Sequence, residues 1–210
     1  MITLGGLLGL ALAAIAIVAW ALSRERRRAR VMESVGARLG LRYVGRGTGL
    51  ETRLSEIASV ASMSRQRFSH LLEGETELIC DWSTIHPLEK RRRVRHQTLL
   101  AVRSEGAAWP SFRIVPSATP IPRLASFAGS VVEFPDPVLF DQRFRVEAPD
   151  HDRILERLSS ERRKGLVPPD SLVLEGGGEW LVAYRPRRRL APQELMRLRE
   201  QLAICADRLA

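Results

Sequence analysis

From Ile2 to Leu22 the chain runs twenty-one residues without a charge, then turns at once into "SRERRRAR", with five arginines between residues 24 and 30. As a helix rising 1.5 Å per residue, this apolar run is about 31 Å long, enough to cross a hydrocarbon core of about 30 Å. A secretory signal begins with positive charge and holds a shorter apolar core. Here no cation follows Met1, and the positive charge comes after the run. An Ala-x-Ala at positions 19–21 keeps cleavage as an alternative, but the pattern favours an anchor. The expected division is a transmembrane anchor over 1–23, a basic juxtamembrane helix over 24–41 and a cytoplasmic α+β domain over 42–210. Cations on the C-terminal side place the N-terminus outside and the domain in the cytoplasm, with Trp20 at the interface.

The formal net charge of +9 invites an anionic partner. Only Lys90 and Lys164 are lysines, and arginine supplies every other cation. A GC-rich genome would give that balance without phosphate binding. Two cysteines, Cys80 and Cys205, are too few and too distant for a disulfide framework and read as core residues.

Beyond residue 24, Val31, Val35, Leu39 and Leu41 recur near helical spacing, with Gly40 as a stop. The glycine-rich stretch over 44–67 reads as a loop holding a short helix or strand. "TELICDWSTI" (76–85) and "VRHQTLLAVRS" (94–104) are β-prone runs around a charged tip, predicting an antiparallel hairpin. A short strand follows at Phe112 and Ile114, then a proline-rich loop over 116–140 that holds "SVVEF". A strand over 140–147 leads to a helix capped by Asp150 or Asp152, with Ile154, Leu155 and Leu158 facing the core. A second hairpin turns at "GGG" (176–178), and Pro192 opens a last helix with Leu195, Leu198, Leu202 and Cys205 on one face. "LEGETELICDW" (72–82) lies over "LEGGGEWLVAY" (174–184), a weak sign of internal duplication that turn chemistry also explains. The expected fold class is α+β, with an N-terminal transmembrane helix followed by antiparallel hairpins packed on two or three helices.

This layout, with "ARLGLRY", "CDW", "RHQTLLAV" and "FDQRFRVEAPD" in order, resembles uncharacterised bacterial single-pass membrane proteins with a small cytoplasmic α+β domain. The resemblance implies a place in the bacterial inner membrane and supplies no activity, cofactor or site residue.

No phosphate-binding loop, nucleophile elbow or dinucleotide fingerprint is present, and the four histidines lack metal-ligand spacing. No catalytic, cofactor-binding or metal residue is therefore assigned, and no cofactor is expected. On a strand, Cys80 and Trp82 share a face while Asp81 points the other way, which makes Cys80 a packing residue. The features left for function are three basic clusters: Arg24, Arg26, Arg27, Arg28 and Arg30; Lys90, Arg91, Arg92, Arg93 and Arg95; and Arg185, Arg187, Arg188 and Arg189. Their default reading is solvated charge. Their functional reading is contact with anionic headgroups or an acidic protein partner. Nucleic acid is a weaker candidate, because aromatic residues are only 6% of the chain and no reading module is seen. The expected role is binding or scaffolding at a membrane, with an enzyme of unrecognised site or a nucleic-acid-binding module as alternatives.

Overall fold

Helix α1 (Leu4–Leu39) carries the apolar run straight into the arginine block. It ends where Gly40 takes φ +71°, a left-handed turn that glycine adopts without a steric penalty. The Leu41 amide then donates back to the Gly36 carbonyl at 2.8 Å, the closure of a helix that stops on glycine. The structure, a computed structural model, describes residues 4–63, 65–85, 94–118, 127–166, 168 and 172–209.

Among the described residues no helix is long and apolar enough to cross a membrane. This overturns the anchor over 1–23, and with it the single-pass topology, the outward N-terminus and the inner-membrane location built on it. The uncharged stretch of α1 runs to Leu22. Ser23 and the charged residues then follow in the same helix. The apolar residues and the arginine block share one continuous helix, Leu4–Leu39.

The rest of the chain builds one nine-stranded sheet in the order β1-β2-β3-β4-β9-β8-β5-β7-β6. Its strands are β1 (Arg42–Arg46), β2 (Gln66–Glu73), β3 (Glu77–Ile85), β4 (Val94–Arg103) and β5 (Trp109–Pro116), then β6 (Ser130–Val131), β7 (Phe144–Ala148), β8 (Val173–Gly178) and β9 (Trp180–Tyr184). Every neighbouring pair is antiparallel. The two expected hairpins join in this sheet through β4 and β9. The α+β class therefore stands, on a single antiparallel sheet.

Helices cover both faces. Short α2 (Leu50–Arg53) and α3 (Ala58–Ala61) lie on one, over a cluster that includes Phe68, Cys80, Trp82 and Tyr184. The second half of α1, α4 (Leu139–Arg143), α5 (His151–Arg157), α6 (Ser160–Gly165) and α7 (Pro192–Leu209) cover the other. There Met32 and Val35 of α1 join Ile79, Leu100 and the stripe Leu195, Leu198, Leu202 and Cys205 of α7. Period-two alternation sends Leu78, Cys80 and Trp82 to one face, and Ile79 and Asp81 to the other.

Three expectations change. The stretch 44–67, expected as a loop holding a short helix or strand, holds two short helices and lies between strands over 42–46 and 66–73 that reach into it at either end. The segment "FDQR" belongs to α4, and the strand begins only at Phe144. The helix expected after Asp150 is broken in two, because Ser159 takes an extended ψ of 160° and caps α6. Asp150 caps α5, as its position predicts, by accepting from the Arg153 amide at 3.1 Å.

Candidate functional site

A helix face made of Glu25, Arg28, Met32 and Val35 places two charged and two apolar side chains on one stripe of α1. Met32 and Val35 dock on the sheet, and Arg28 is carried down with them. Its guanidinium meets Asp81 of β3 in a two-pronged pair, Nε to Oδ2 at 2.9 Å and Nη2 to Oδ1 at 2.8 Å. Its Nη1 donates to the Leu190 carbonyl at 2.9 Å. Thr98 of β4, cross-strand from Asp81, donates its hydroxyl to Oδ1 at 3.0 Å and accepts the Leu190 amide at 2.9 Å.

His70 completes the cluster. Three steps of β2, from Ser69 to Leu72, span what two steps of β3 span from Asp81 to Ile79, so β2 carries one extra residue. Such a bulge re-aims a side chain. Here it brings His70 Nδ1 to 3.2 Å from Asp81 Oδ2, with the His70 backbone at φ +52°. A left-handed non-glycine residue costs about 1–3 kcal/mol and persists where surrounding structure enforces it. Asp81, fully buried, thus accepts from Arg28 twice, from Thr98 and from His70.

Burial alone would raise the Asp81 carboxyl. The bonds from His70 and Arg28 and the charges of Arg28 and Arg189 outweigh it and hold the carboxyl well below the usual range. An ionised Asp81 only accepts, so the His70 proton sits on Nδ1 and Nε2 is turned away from it. Nε2 faces Glu25 Oε2 at 3.5 Å, and Glu25 Oε1 meets Arg189 Nη1 at 3.1 Å.

Above this cluster opens a cleft of about 1040 Å³ between α1 and β1–β4. Glu25, His70, His96 and Arg189 line it with Arg46, Arg65 and Arg67, and Leu22, Tyr43, Val44 and Val94 supply apolar surface. Arg46, Arg65 and Arg67 are exposed and pair with no carboxylate among the described residues. Burial raises the Tyr43 phenol, helped by Glu33, Asp81 and Glu25, so it stays protonated. Burial, then the charge of Arg189, lowers His96, so at neutral pH it is uncharged. The field of the cleft is set by arginine.

Serine, histidine and aspartate all occur here, but in two separate pairs. Ser83 Oγ lies 2.8 Å from His96 Nδ1, whereas Asp81 orients His70. A nucleophile relay needs one histidine to serve both. Among the described residues no group of three or more His, Cys, Asp or Glu is placed to hold a metal ion.

The basic residues singled out in the sequence meet different fates. Arg28 and Arg189, from two separate clusters, converge on Asp81. Arg24 lies over the Trp20 ring at 5.6 Å, while Arg26, Arg27 and Arg30 are exposed. Arg185 and Arg188 both bind Glu194 at the start of α7. Arg187 is exposed at φ +63°, its amide donating to Gln97 Oε1 at 3.1 Å. Arg95 is half-buried on β4, and Lys90, Arg91, Arg92 and Arg93 lie outside the described residues. The cleft arginines Arg46, Arg65 and Arg67 were missed, because they are scattered singly and form no run.

Cys80 is fully buried, and burial followed by the Asp81 charge pushes its thiol far up; burial raises Cys205 to about 11. Both thiols are therefore packing groups. In the native chain at pH 8, iodoacetamide should alkylate either on the order of a hundredfold more slowly than an unfolded thiol. Native reaction at the unfolded rate would refute this.

A second buried polar group, Glu175, accepts from Tyr184 Oη at 2.6 Å and from the Ser59 amide at 3.0 Å, pinning α3 to β8 and β9. It lies on the opposite face and does not open to the cleft.

No protein-family model matches the chain, and no curated protein matches it. Among solved structures, the crystal structure of the mycobacterial trehalose monomycolate transport factor A, TtfA, is similar in fold, with a TM-score of 0.63. It is 11% identical, and the match covers 86% of this chain and 93% of that one. At that identity the likeness shows the fold alone.

Proposed function

We propose that the chain is a binding module whose cleft takes an anionic, partly apolar ligand, as an anionic lipid-like molecule would be. The observation that carries this is the cleft itself: three arginines without carboxylate partners among the described residues stand at its mouth beside Leu22, Val44, Val94 and the Tyr43 ring. Small-molecule sites combine mostly apolar walls with a few polar groups in clefts of about 300–1,000 Å³. Splitting of the Ser, His and Asp residues into two pairs favours binding over catalysis. A neighbour of like fold that is named as a transport factor supports the same direction.

Calorimetric titration of the full chain with octyl phosphate, octanoate and neutral octyl glucoside tests it. Both anions should bind and the neutral amphiphile should not. Changing Arg65→Gln and Arg67→Gln together should weaken anion binding by about tenfold, roughly 1.4 kcal/mol. Affinity should also fall as salt is raised from about 0.05 to 0.5 M, since the mouth is exposed. Equal binding of the neutral amphiphile, or no change in the double variant, would defeat the proposal. A glutamate-rich peptide is the comparison arm: if it alone binds, the partner is an acidic protein segment.

A further inference from the structure

We infer that the ligand's charged head is a carboxylate or phosphate, and that its seat is the one Glu25 now fills between Arg189 and His70. The inference rests on the cleft reading above and narrows it to a point. Glu25 is a carboxylate lining the cleft, bound to Arg189 Nη1 at 3.1 Å and 3.5 Å from His70 Nε2. It comes from α1, and its side chain is 51% exposed. Arg189 thus donates to an oxyanion that the chain supplies to itself from a half-open position, with the His70 ring beside it.

Among the described residues, the side-chain hydrogen bond that Arg189 makes is the one to Glu25. The Nε of Arg189 lies 3.4 Å from Asp81 Oδ2 yet makes no hydrogen bond, and it is buried. Asp81 already balances Arg28, so the charge of Arg189 is left to Glu25. His70 spends its Nδ1 proton on Asp81, so its Nε2 edge only lines the seat and Arg189 is the group that meets the charge. Remove Glu25, and two arginines face one carboxylate at the floor of a cleft. A ligand oxyanion would restore the balance.

Glu25 is a weak competitor, because half-exposed ion pairs are screened by water. Arg28 holds α1 on the sheet through its own buried pair, so Glu25 can give way without the helix undocking. Leu22 stands almost one turn before Glu25 on the same helix and lines the cleft, next to where an apolar tail would leave the head.

If Glu25 only fastens α1, neutralising it would loosen the fold and gain no affinity. If it is an internal substitute for ligand, neutralising it opens the seat. The deciding experiment titrates the full chain and Glu25→Gln with octyl phosphate and with octanoate at low salt, after circular dichroism has shown both to be folded. Glu25→Gln should bind at least about fivefold tighter, the size expected when a competing charge is removed. Arg189→Gln should bind at least about tenfold more weakly. The probe with the larger gain identifies the head as phosphate or carboxylate. Wild-type binding that Glu25→Gln leaves unchanged or weakens would overturn the seat while the cleft reading stands. If neither protein binds either probe, the cleft reading falls, and the seat with it.

Discussion

Replacing Asp81 by alanine should cost about 3–5 kcal/mol, the range seen when one partner of a buried ion pair is removed. The loss is large because it is not the pair alone. Arg28 and Arg189 would lose the buried carboxylate between them, and Thr98 and His70 would lose their acceptor. The His70 backbone would keep its left-handed strain without the contact that holds it. Urea unfolding at neutral pH measures the effect, with Glu73→Gln as control. Glu73 pairs with Arg42 and Arg53 at the surface, and its loss should cost less than about 1 kcal/mol. Similar losses in both variants would show that the Asp81 cluster is no more than surface charge.

The same group predicts an acid limb. The folded Asp81 carboxyl lies below its unfolded value of about 3.9, because His70 and the arginines overcome burial. Its contribution is therefore complete above the unfolded value and fades as pH falls through the folded one. Between about pH 4 and pH 2 the wild type should lose stability more steeply than Asp81→Ala, and the two curves should converge. Parallel curves would contradict the depressed carboxyl.

The sequence makes some of this legible, and physics explains the rest. β3 and β4 are readable because their alternation is unbroken, so Cys80, Asp81 and Trp82 take the faces their spacing implies. β2 is not, because the extra residue at His70 shifts the period, leaving Phe68, Leu71 and Leu72 out of strict alternation. β1 is short, mostly exposed and interrupted by Gly45 at φ +83°, so it offers no hydrophobic pattern. The site suffers most, since its parts meet only through tertiary folding: Arg28 lies 53 residues from Asp81, and Arg189 lies on the far side of two hairpins. One signal was available. Glu25, Arg28, Met32 and Val35 share a helical face, so Arg28 follows two core residues inward while Arg26, Arg27 and Arg30 stay outside. The arginine run drew attention to composition, where helical phase carried the information.

Gly177→Ala should destabilise the fold by about 3 kcal/mol, the upper part of the range for overpacking a well-filled interior. "GGG" reads in sequence as a turn, but only Gly178, at φ +58°, and Glu179 turn the chain. Gly177 is still paired in β8, opposite Trp180. A Cβ there would stand 2.2 Å from the Glu56 carbonyl oxygen and 2.8 Å from its carbon. Both are backbone atoms, so no rotamer change relieves the overlap. The α2–α3 segment would have to lift from the sheet. That segment brings Leu50, Leu54, Ile57 and Val60 onto the second core cluster and presents the Ser59 amide to Glu175. Lifting it exposes apolar surface and leaves a buried carboxylate short of a donor, so the two costs add. Gly106→Ala is the contrasting control: its φ is left-handed, at +73°, yet an added Cβ would meet nothing within 4 Å. Its cost should be near 1 kcal/mol, from conformation alone. Chemical denaturation of the two variants separates the causes: a loss at residue 177 no larger than that at residue 106 would mean that close approach of the Glu56 backbone is not what keeps a side chain out of β8.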